Sequence, residues 1–487
     1  MFRYTVAVSR GVISRHPPAP HASRFTSRTY SSFSQPPKRD SPATIAVTFG
    51  TLVAGASFFY FVSQSGSSNA VPYLAEPASE NHIAVKSPVR VFGLKEANAR
   101  IREHATSFTF DGNGGNGRVD VVRLASNNPV EDEWAVAVGK GVGGQKTLYT
   151  GVYDGHAGWA TSAVLRQALI PYVSNAVSRV ATSASSDLID SAIKSAFGNL
   201  DARIMDEAKH AAEGSSEPAS PSVLAAIAPA ISGSCALLSM YDLASSTIRT
   251  AVTGDSRAVL GSWSDESASY TAEALSQDQT GFNQDEVKRL DKAHPGEIDD
   301  IIDPKTGRLL GIAVTRGFGD HRWKLTEQAV KSLQGSFYGF GPRPKYKSPP
   351  YMVAEPEVTC RKVSTKDFVI LASDGLWDVM SNDDAVKCVS RWLAAKRAGK
   401  PETVVDAKTT FTVGDDGWPS YKATPEFFAI EDLDNAAVCL AKNALGGSRR
   451  TMFCGSVTAY PPISRYVRDD VTIQVVFFQD PSGATKN

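Results

Sequence analysis

Short β-branched and aromatic runs that end beside an aspartate recur along this chain. The run at residues 148–153 ends at Asp154, and a Gly-His-Ala-Gly turn containing His156 separates it from a helical pattern. Three further acids lie beside strongly apolar strand patterns in the same way, namely Asp255, Asp374 and Asp469. Because the strands of one sheet system place their ends on a shared rim, these four carboxylates can converge. The sequence therefore predicts a sheet system with an acidic site at one rim.

Such a cluster of carboxylates predicts bound cations. Bare carboxylates in contact repel one another and raise each other's pKa, and divalent cations remove that cost. An all-oxygen ligand set suits Mg²⁺ or Mn²⁺, whereas zinc would prefer His or Cys. Glu131, at the start of a strand pattern, joins the set. Two such ions about 3.5–4 Å apart can clamp an in-line displacement at phosphorus. The residues alone thus indicate two-metal phosphoester chemistry and leave phosphatase and nuclease both open.

Charge and cysteine usage exclude several partner classes. The formal net charge is zero, but residues 1–39 hold seven Lys or Arg and no acid, so the rest carries 44 basic and 51 acidic residues. We therefore expect no nucleic-acid partner, because no sustained basic face lies beyond the leader. The five cysteines lie far apart without a CxxC pair, which predicts free thiols rather than disulfides or a zinc site.

The N-terminal segments predict a mitochondrial membrane protein. Residues 1–40, rich in Arg, Ser and aromatics, are typical of a mitochondrial presequence. The 20 uncharged residues 43–62 can span a hydrocarbon core of about 30 Å as one helix. We therefore expect a single-pass inner-membrane protein, with residues 63–105 as a linker. A stop-transfer role would leave the large domain in the intermembrane space, and import to the matrix is the alternative.

Periodicity places helices and loops within the large domain. Apolar residues at i, i+3 and i+4 predict amphipathic helices over residues 159–180 and 187–212. The Ala-, Ser- and Pro-rich residues 213–229 are expected to form a loop. Residues 333–350 and 397–430 have the composition of inserted loops.

Five motifs in chain order resemble those of the metal-dependent serine/threonine protein phosphatases of type 2C. They are VYDGHAG at 152–158, GDSRA at 254–258, RGFGD at 316–320, ASDGLWD at 372–378 and RDDVT at 468–472. The resemblance implies an α+β fold, a four-layer α-β-β-α sandwich of two antiparallel sheets with metals at one end. We assign residues 106–480 to this catalytic domain and 481–487 to a tail. Further segments, among them NNPVED at 127–132 and RLLG at 308–311, resemble the mitochondrial pyruvate dehydrogenase phosphatase branch and its fungal membrane-anchored relatives.

The resemblance also implies a set of metal ligands. Asp154 would bridge two Mg²⁺ or Mn²⁺ ions. Asp374 and Asp469 would complete the protein ligands of one ion, while Glu131 and the backbone carbonyl of Gly155 would hold the other. A looser third ion at Asp255 and Asp378 is a further option.

The remaining implied roles concern proton transfer and the substrate. His156 would be the general acid that protonates the leaving Ser or Thr oxygen, and a hydroxide on the ions would attack phosphorus directly. Many family members grip phosphate with an Arg where this chain has Asn127, so we expect a weaker contact there and consider Arg123 as a substitute. Phosphoserine and phosphothreonine proteins are the implied substrates, with the pyruvate dehydrogenase complex among them. A catalytically silent scaffold is the alternative, which the intact set of acids disfavours.

Overall fold

The structure is a computed structural model, and it describes residues 89–112, 115–217, 220–335, 338–413 and 419–482. The expected presequence (1–40), the expected membrane helix (43–62) and residues 63–88 of the expected linker lie outside the described residues. Within the described ranges, no helix combines the length and the apolar character that a membrane span needs.

The strands vary from two to ten residues in length. In chain order they are β1 (Thr106–Gly112), β2 (Gly115–Leu124), β3 (Glu133–Lys140), β4 (Lys146–Tyr153), β5 (Gly155–His156), β6 (Gly233–Ser234), β7 (Ala236–Asp242), β8 (Thr247–Thr253), β9 (Arg257–Ser264), β10 (Ser269–Ala274), β11 (Ile302–Asp303), β12 (Arg308–Leu309), β13 (Phe318–Gly319), β14 (Glu357–Lys362), β15 (Phe368–Ala372), β16 (Thr412–Val413), β17 (Pro419–Ser420) and β18 (Val471–Phe477).

The helices fall mainly between or after these strands. They are α1 (Leu94–Arg102), α2 (Ala160–Val177), α3 (Ser186–Gly214), α4 (Pro221–Ile231), α5 (Gln284–Ala293), α6 (Ile298–Ile301), α7 (His321–Lys324), α8 (Glu327–Gly335), α9 (Asp374–Trp377), α10 (Asn382–Arg397), α11 (Ala436–Ala444), α12 (Arg450–Thr458) and α13 (Ser464–Val467).

Two antiparallel sheets form the centre of the molecule, as predicted. The larger sheet has the order β1-β2-β18-β15-β9-β10, and the smaller sheet has the order β14-β8-β7-β4-β3. Their facing sides share one core, which contains Val369 and Leu371 from β15 together with Val152 from β4. The intervening residues of β15, Phe368 and Ile370, belong instead to a core with helices. Alternate residues of β15 therefore face two different cores. Because both faces of the strand are covered, its sequence is an unbroken apolar run.

Helices cover both outer faces of the sheet pair. On the larger sheet, residues of α1, α10, α11 and α12 pack into one core, where Trp392 stacks on Phe477 with ring centroids 5.5 Å apart. On the smaller sheet, α2, α3 and α4 supply a second core. The α-β-β-α layering expected from the sequence is therefore present.

Two predicted helices are present, and two segments that were expected to be a loop and a linker also contain helices. The predicted amphipathic helices are α2 and α3. Residues 213–229 are not the expected loop, because α3 extends to Gly214 and α4 begins at Pro221. Proline is tolerated in a first helical turn, and the buried Val223, Ile227 and Ala230 lie four and three residues apart, so α4 buries an apolar face. Part of the expected linker is also helical, since α1 buries Ala97 and Ile101.

The part of the chain between β10 and β14 supplies most of a smaller side core. Its buried residues include Leu290, Leu309, Trp323 and Tyr351. In the segment 333–350, which was expected to be an inserted loop, residues 338–350 are irregular, and Tyr346 is buried in this side core. The other expected insertion, 397–430, is also largely irregular in its described part, and its residues Tyr421, Phe428 and Ile430 join the core of the larger sheet.

Candidate metal centre

The central strands deliver the predicted acids to one rim. Asp154 directly follows β4, and Asp255 lies in the turn between β8 and β9. Ser373 separates β15 from Asp374, which begins α9, while Asp469 lies two residues before β18. The acids therefore come from both sheets, and they lie at strand ends as the sequence predicts.

Three of these acids form a compact cluster. Carboxylate oxygens of Asp154, Asp255 and Asp374 all lie within 4.8 Å of one another. Burial raises the pKa of Asp154 well above its ordinary value, and the charge of Asp374 adds to this effect. Burial, followed by the charge of Asp278, raises the pKa of Asp255 to about 6. Such closely spaced oxygens with raised pKa values fit a hard divalent cation, which would offset their repulsion.

Other predicted ligands surround this cluster. The charge of Asp378, after burial, raises the pKa of Asp374. The charge of Asp469 contributes to the raised pKa values of Asp154 and Asp374. Gly155 lies in β5, where a Cβ atom would come within 2.3 Å of the Glu131 carbonyl oxygen. Only glycine therefore permits this close approach between the two segments.

Glu131 and Asp469 are held by hydrogen-bond donors of the protein. Glu131 Oε1 accepts from the backbone N–H of Gly158 at 2.6 Å, and its Oε2 accepts from Asn127 Nδ2 at 2.5 Å. Asp469 Oδ1 accepts from Arg465 Nη1 at 2.7 Å. Both carboxylates are thus held in place by neighbouring side chains.

The loop that carries Glu131 is organised by an acid that the sequence analysis gave no role. The Asp470 carboxylate accepts from the backbone N–H groups of Asn127 at 3.0 Å and Glu131 at 2.8 Å. It also accepts from the backbone of Ser126. A second such acid, Asp132, accepts from Ser373 Oγ at 2.7 Å. In the sequence, only their positions next to Asp469 and Glu131 pointed to a role for these two acids. Their contacts could not be predicted, because each joins residues more than 200 positions apart in the chain.

His156 has a carboxylate partner that the sequence analysis also missed. Its Nε2 lies 2.7 Å from Asp320 Oδ2. A three-stranded sheet of β5, β6 and β13 brings these residues together, because β5 and β13 both pair with β6. Burial alone would lower the pKa of His156, but the charge and hydrogen bond of Asp320, together with the charges of Asp255 and Glu131, outweigh burial and leave that pKa raised. Asp320 lies in one of the quoted motifs, which was its only sequence signal.

Arg123 does not supply a cation at the cluster. Its Nη1 donates to the carbonyl oxygen of Asp132 at 3.0 Å and lies 2.8 Å from Glu133 Oε2.

The cysteines agree with the sequence prediction, since all five are free thiols. One of them, Cys235, donates to Asp255 Oδ1 at 3.3 Å.

Comparison with known proteins assigns this fold and site to a family. The family model described as protein phosphatase 2C matches residues 136–412. A protein phosphatase 2C homologue of Schizosaccharomyces pombe is 37% identical over 74% of this chain and 80% of its own length. Mitochondrial pyruvate dehydrogenase phosphatase 1 of Saccharomyces cerevisiae is 35% identical over 80% of this chain and 74% of its own length. Human mitochondrial pyruvate dehydrogenase phosphatase 2 is 28% identical over 75% and 78% of the two chains. The chain therefore belongs to the protein phosphatase 2C family, as a protein serine/threonine phosphatase that resembles the pyruvate dehydrogenase phosphatase branch.

Proposed function

We propose that this phosphatase acts in mitochondria and uses two Mg²⁺ or Mn²⁺ ions to hydrolyse phosphoserine and phosphothreonine in proteins. The observation that carries the proposal is the convergence of Asp154, Asp255 and Asp374 within 4.8 Å at the sheet rim. The family is generally dependent on Mg²⁺ or Mn²⁺, and a donor set of carboxylate oxygens fits these ions better than zinc.

The proposed ligands divide between two ions. Asp154 would serve both ions, Asp374 and Asp469 would complete the protein ligands of one, and Glu131 with the Gly155 carbonyl oxygen would hold the other. Asp255 and Asp378 would hold a looser third ion. When bound, the ions would supply an activated water as nucleophile and offset the negative charge of the phosphoryl oxygens.

His156 is the proposed proton donor to the leaving oxygen. Because Asp320 occupies Nε2 at 2.7 Å, Nδ1 is the ring nitrogen left to deliver a proton. The Asp320 carboxylate stabilises the charged ring and fixes its orientation. Ser and Thr alkoxides are poor leaving groups, so protonation at this step lowers the barrier to P–O cleavage.

Phosphorylated pyruvate dehydrogenase E1 or another mitochondrial phosphoprotein is the proposed substrate. The names of two similar proteins, from Saccharomyces cerevisiae and human, support this substrate and the mitochondrial location. We further propose that residues 1–40 are a presequence and residues 43–62 an inner-membrane anchor. E1 as substrate requires the catalytic domain to face the matrix, whereas a stop-transfer anchor places it in the intermembrane space. Protease protection in intact mitochondria and mitoplasts distinguishes these two orientations.

Metal-dependent phosphate release tests the central proposal. The full-length chain and Asp154→Ala are assayed on a phosphothreonine peptide with Mg²⁺, with Mn²⁺ and with EDTA, and on duplex DNA as a control for nuclease activity. We expect phosphate release that requires the metal and is lost in the variant. A chain that binds the peptide without metal-dependent release would instead be the silent scaffold, and DNA cleavage would indicate the nuclease.

A further inference from the structure

A cationic side chain beside the ions would strengthen the binding of the substrate phosphate, and Asn127 cannot provide one. Asn127 is neutral, and its Nδ2 donates to Glu131 Oε2 at 2.5 Å. A phosphoryl group carries negative charge into a rim that is already lined with carboxylates. Arginine is the side chain best suited to such a group, because its planar fork donates two parallel hydrogen bonds.

Arg465 reaches the same rim from a distant part of the chain. Its Nη1 lies 3.7 Å from Glu131 Oε2, the oxygen that Asn127 contacts, and 2.7 Å from Asp469 Oδ1. Arg465 lies in the short helix α13, which is anchored to the Asn127 segment because Ser464 Oγ donates to the carbonyl oxygen of Ser126. The guanidinium therefore lies beside two of the proposed metal ligands and next to Asn127.

The surroundings of Arg465 are open to a protein substrate. Its side chain is 30% exposed, and the flanking Ile463 and Tyr466 are 48% and 68% exposed. Large apolar side chains at a wet rim are suited to contact a peptide on either side of a phosphorylated residue.

Other arginines near the site are committed to partners outside the cluster. Arg123 contacts Glu133 and the Asp132 carbonyl group. Arg257 forms two bonds with Asp278, at 2.9 and 2.5 Å, and a third with Asn382. Arg468 is buried and donates to the carbonyl oxygens of Ser456 and Ala125. Arg465 differs from these in that its guanidinium contacts the carboxylates of two proposed metal ligands.

We infer that Arg465 grips the substrate phosphate and thereby takes the part that Asn127 cannot play. The inference rests on the proposed function. Glu131 and Asp469 are also proposed ligands of the ions, so a phosphoryl group bound beside those ions would lie next to the guanidinium. In the metal-free chain, Arg465 offsets the charge of these two carboxylates. With ions and substrate bound, the same side chain would contact the phosphate.

Phosphate binding separates this role from a purely structural one. The full-length chain with Mn²⁺ is titrated calorimetrically with inorganic phosphate, and kcat and KM are measured on a phosphothreonine peptide. We expect Arg465→Met to weaken phosphate binding and raise KM by about tenfold or more, with kcat changed much less. Arg465→Lys should fall between, because it keeps the charge without the fork. Adding Asn127→Arg to Arg465→Met should restore much of the lost phosphate affinity.

Two outcomes would overturn the inference. One is unchanged phosphate affinity in Arg465→Met together with a shifted Mn²⁺ requirement, which would show that Arg465 only holds the carboxylates. The other is a failure of Asn127→Arg to restore any affinity. Arg361→Met is the matched charge control, because Arg361 is 51% exposed and pairs with Glu273, and it should bind phosphate as the unmodified chain does. Failure of the proposed function looks different, since the unmodified chain would then show no Mn²⁺-dependent phosphate release.

Discussion

The contact between His156 and Asp320 joins residues that are far apart in the chain. If Asp320 holds His156 for proton donation, Asp320→Asn should slow hydrolysis of a phosphothreonine peptide by about 10²-fold. Hydrolysis of p-nitrophenyl phosphate should slow much less, because nitrophenolate leaves without a proton. His156→Ala should show the same selectivity for the poor leaving group.

The double variant provides the control for that prediction. His156→Ala combined with Asp320→Asn should be no slower than His156→Ala alone, since Asp320 acts through the imidazole. Equal losses on both substrates, or additive losses in the double variant, would show that Asp320 supports the fold of the rim instead. Steady-state rates on the two substrates decide between these outcomes.

Asp154 is expected to be necessary for catalysis and to lower the thermal stability of the metal-free protein. Its carboxylate lies within 4.8 Å of those of Asp255 and Asp374. Asp154→Asn removes one of three repelling charges, so the melting temperature in EDTA should rise above that of the unmodified chain, while activity with Mn²⁺ disappears. Thermal unfolding followed by circular dichroism measures the first effect. A lower melting temperature in EDTA would contradict the idea that these acids destabilise the metal-free site.

At the scale of secondary-structure elements, a buried ion cluster attaches α5 to the segment that leads to β13. Glu286 of α5, with 1% of its side chain exposed, accepts from Arg316 Nε at 2.9 Å and Arg289 Nη2 at 2.9 Å. Burial would raise the pKa of Glu286, but these arginines outweigh it and lower that pKa to about 2. The folded chain therefore binds this proton more weakly than the unfolded chain does.

Glu286→Gln should consequently destabilise the protein in a pH-dependent way. The ordinary pKa of 4.5 falls to about 2 on folding. The stabilisation, on the order of 3 kcal/mol, is thus fully present above about pH 4.5 and is lost as the pH falls towards about 2. At pH 7 the variant should melt about 4 °C lower. The difference between the two chains should shrink in acid, and a difference that stays constant with pH would contradict the assignment.

The same element scale shows which features a sequence can reveal. The helices α2 and α3 follow from their apolar spacing. Four acids at strand ends were found because each lies beside an apolar run. Helix α4 was missed because Ala, Ser and Pro obscure its apolar face.

Contacts between distant segments could not be predicted from the sequence. The pairing of His156 with Asp320, the support of the Glu131 loop by Asp470 and the position of Arg465 all depend on the closure of the sandwich. Each of these contacts joins residues that share neither a local periodicity nor a motif. Composition and spacing therefore do not indicate which residue is the partner. Motif membership identified Asp320 as notable without indicating what it contacts.

At the scale of the whole molecule, the acidic rim joins both sheets. Asp154 and Asp255 follow strands of the smaller sheet, β4 and β8, whereas Asp374 and Asp469 adjoin β15 and β18 of the larger sheet. Ions bound by these acids would therefore link the two sheets at one end of the sandwich. A ligand that binds the folded chain alone stabilises it by mass action, by about 2.7 kcal/mol at one hundred times its Kd.

Mn²⁺ should accordingly raise the melting temperature of the full-length chain by about 3 °C at that concentration. Asp154→Asn should lose this response, whereas Arg361→Met should keep it. Hydrogen exchange should slow together at the ends of β4, β15 and β18, because the carboxylates at all three would share the proposed ions. Slower exchange at β4 alone would mean that the ions occupy one sheet edge and do not connect the sheets. An identical rise in the melting temperature of Asp154→Asn would place the binding elsewhere and remove the basis for the proposed centre.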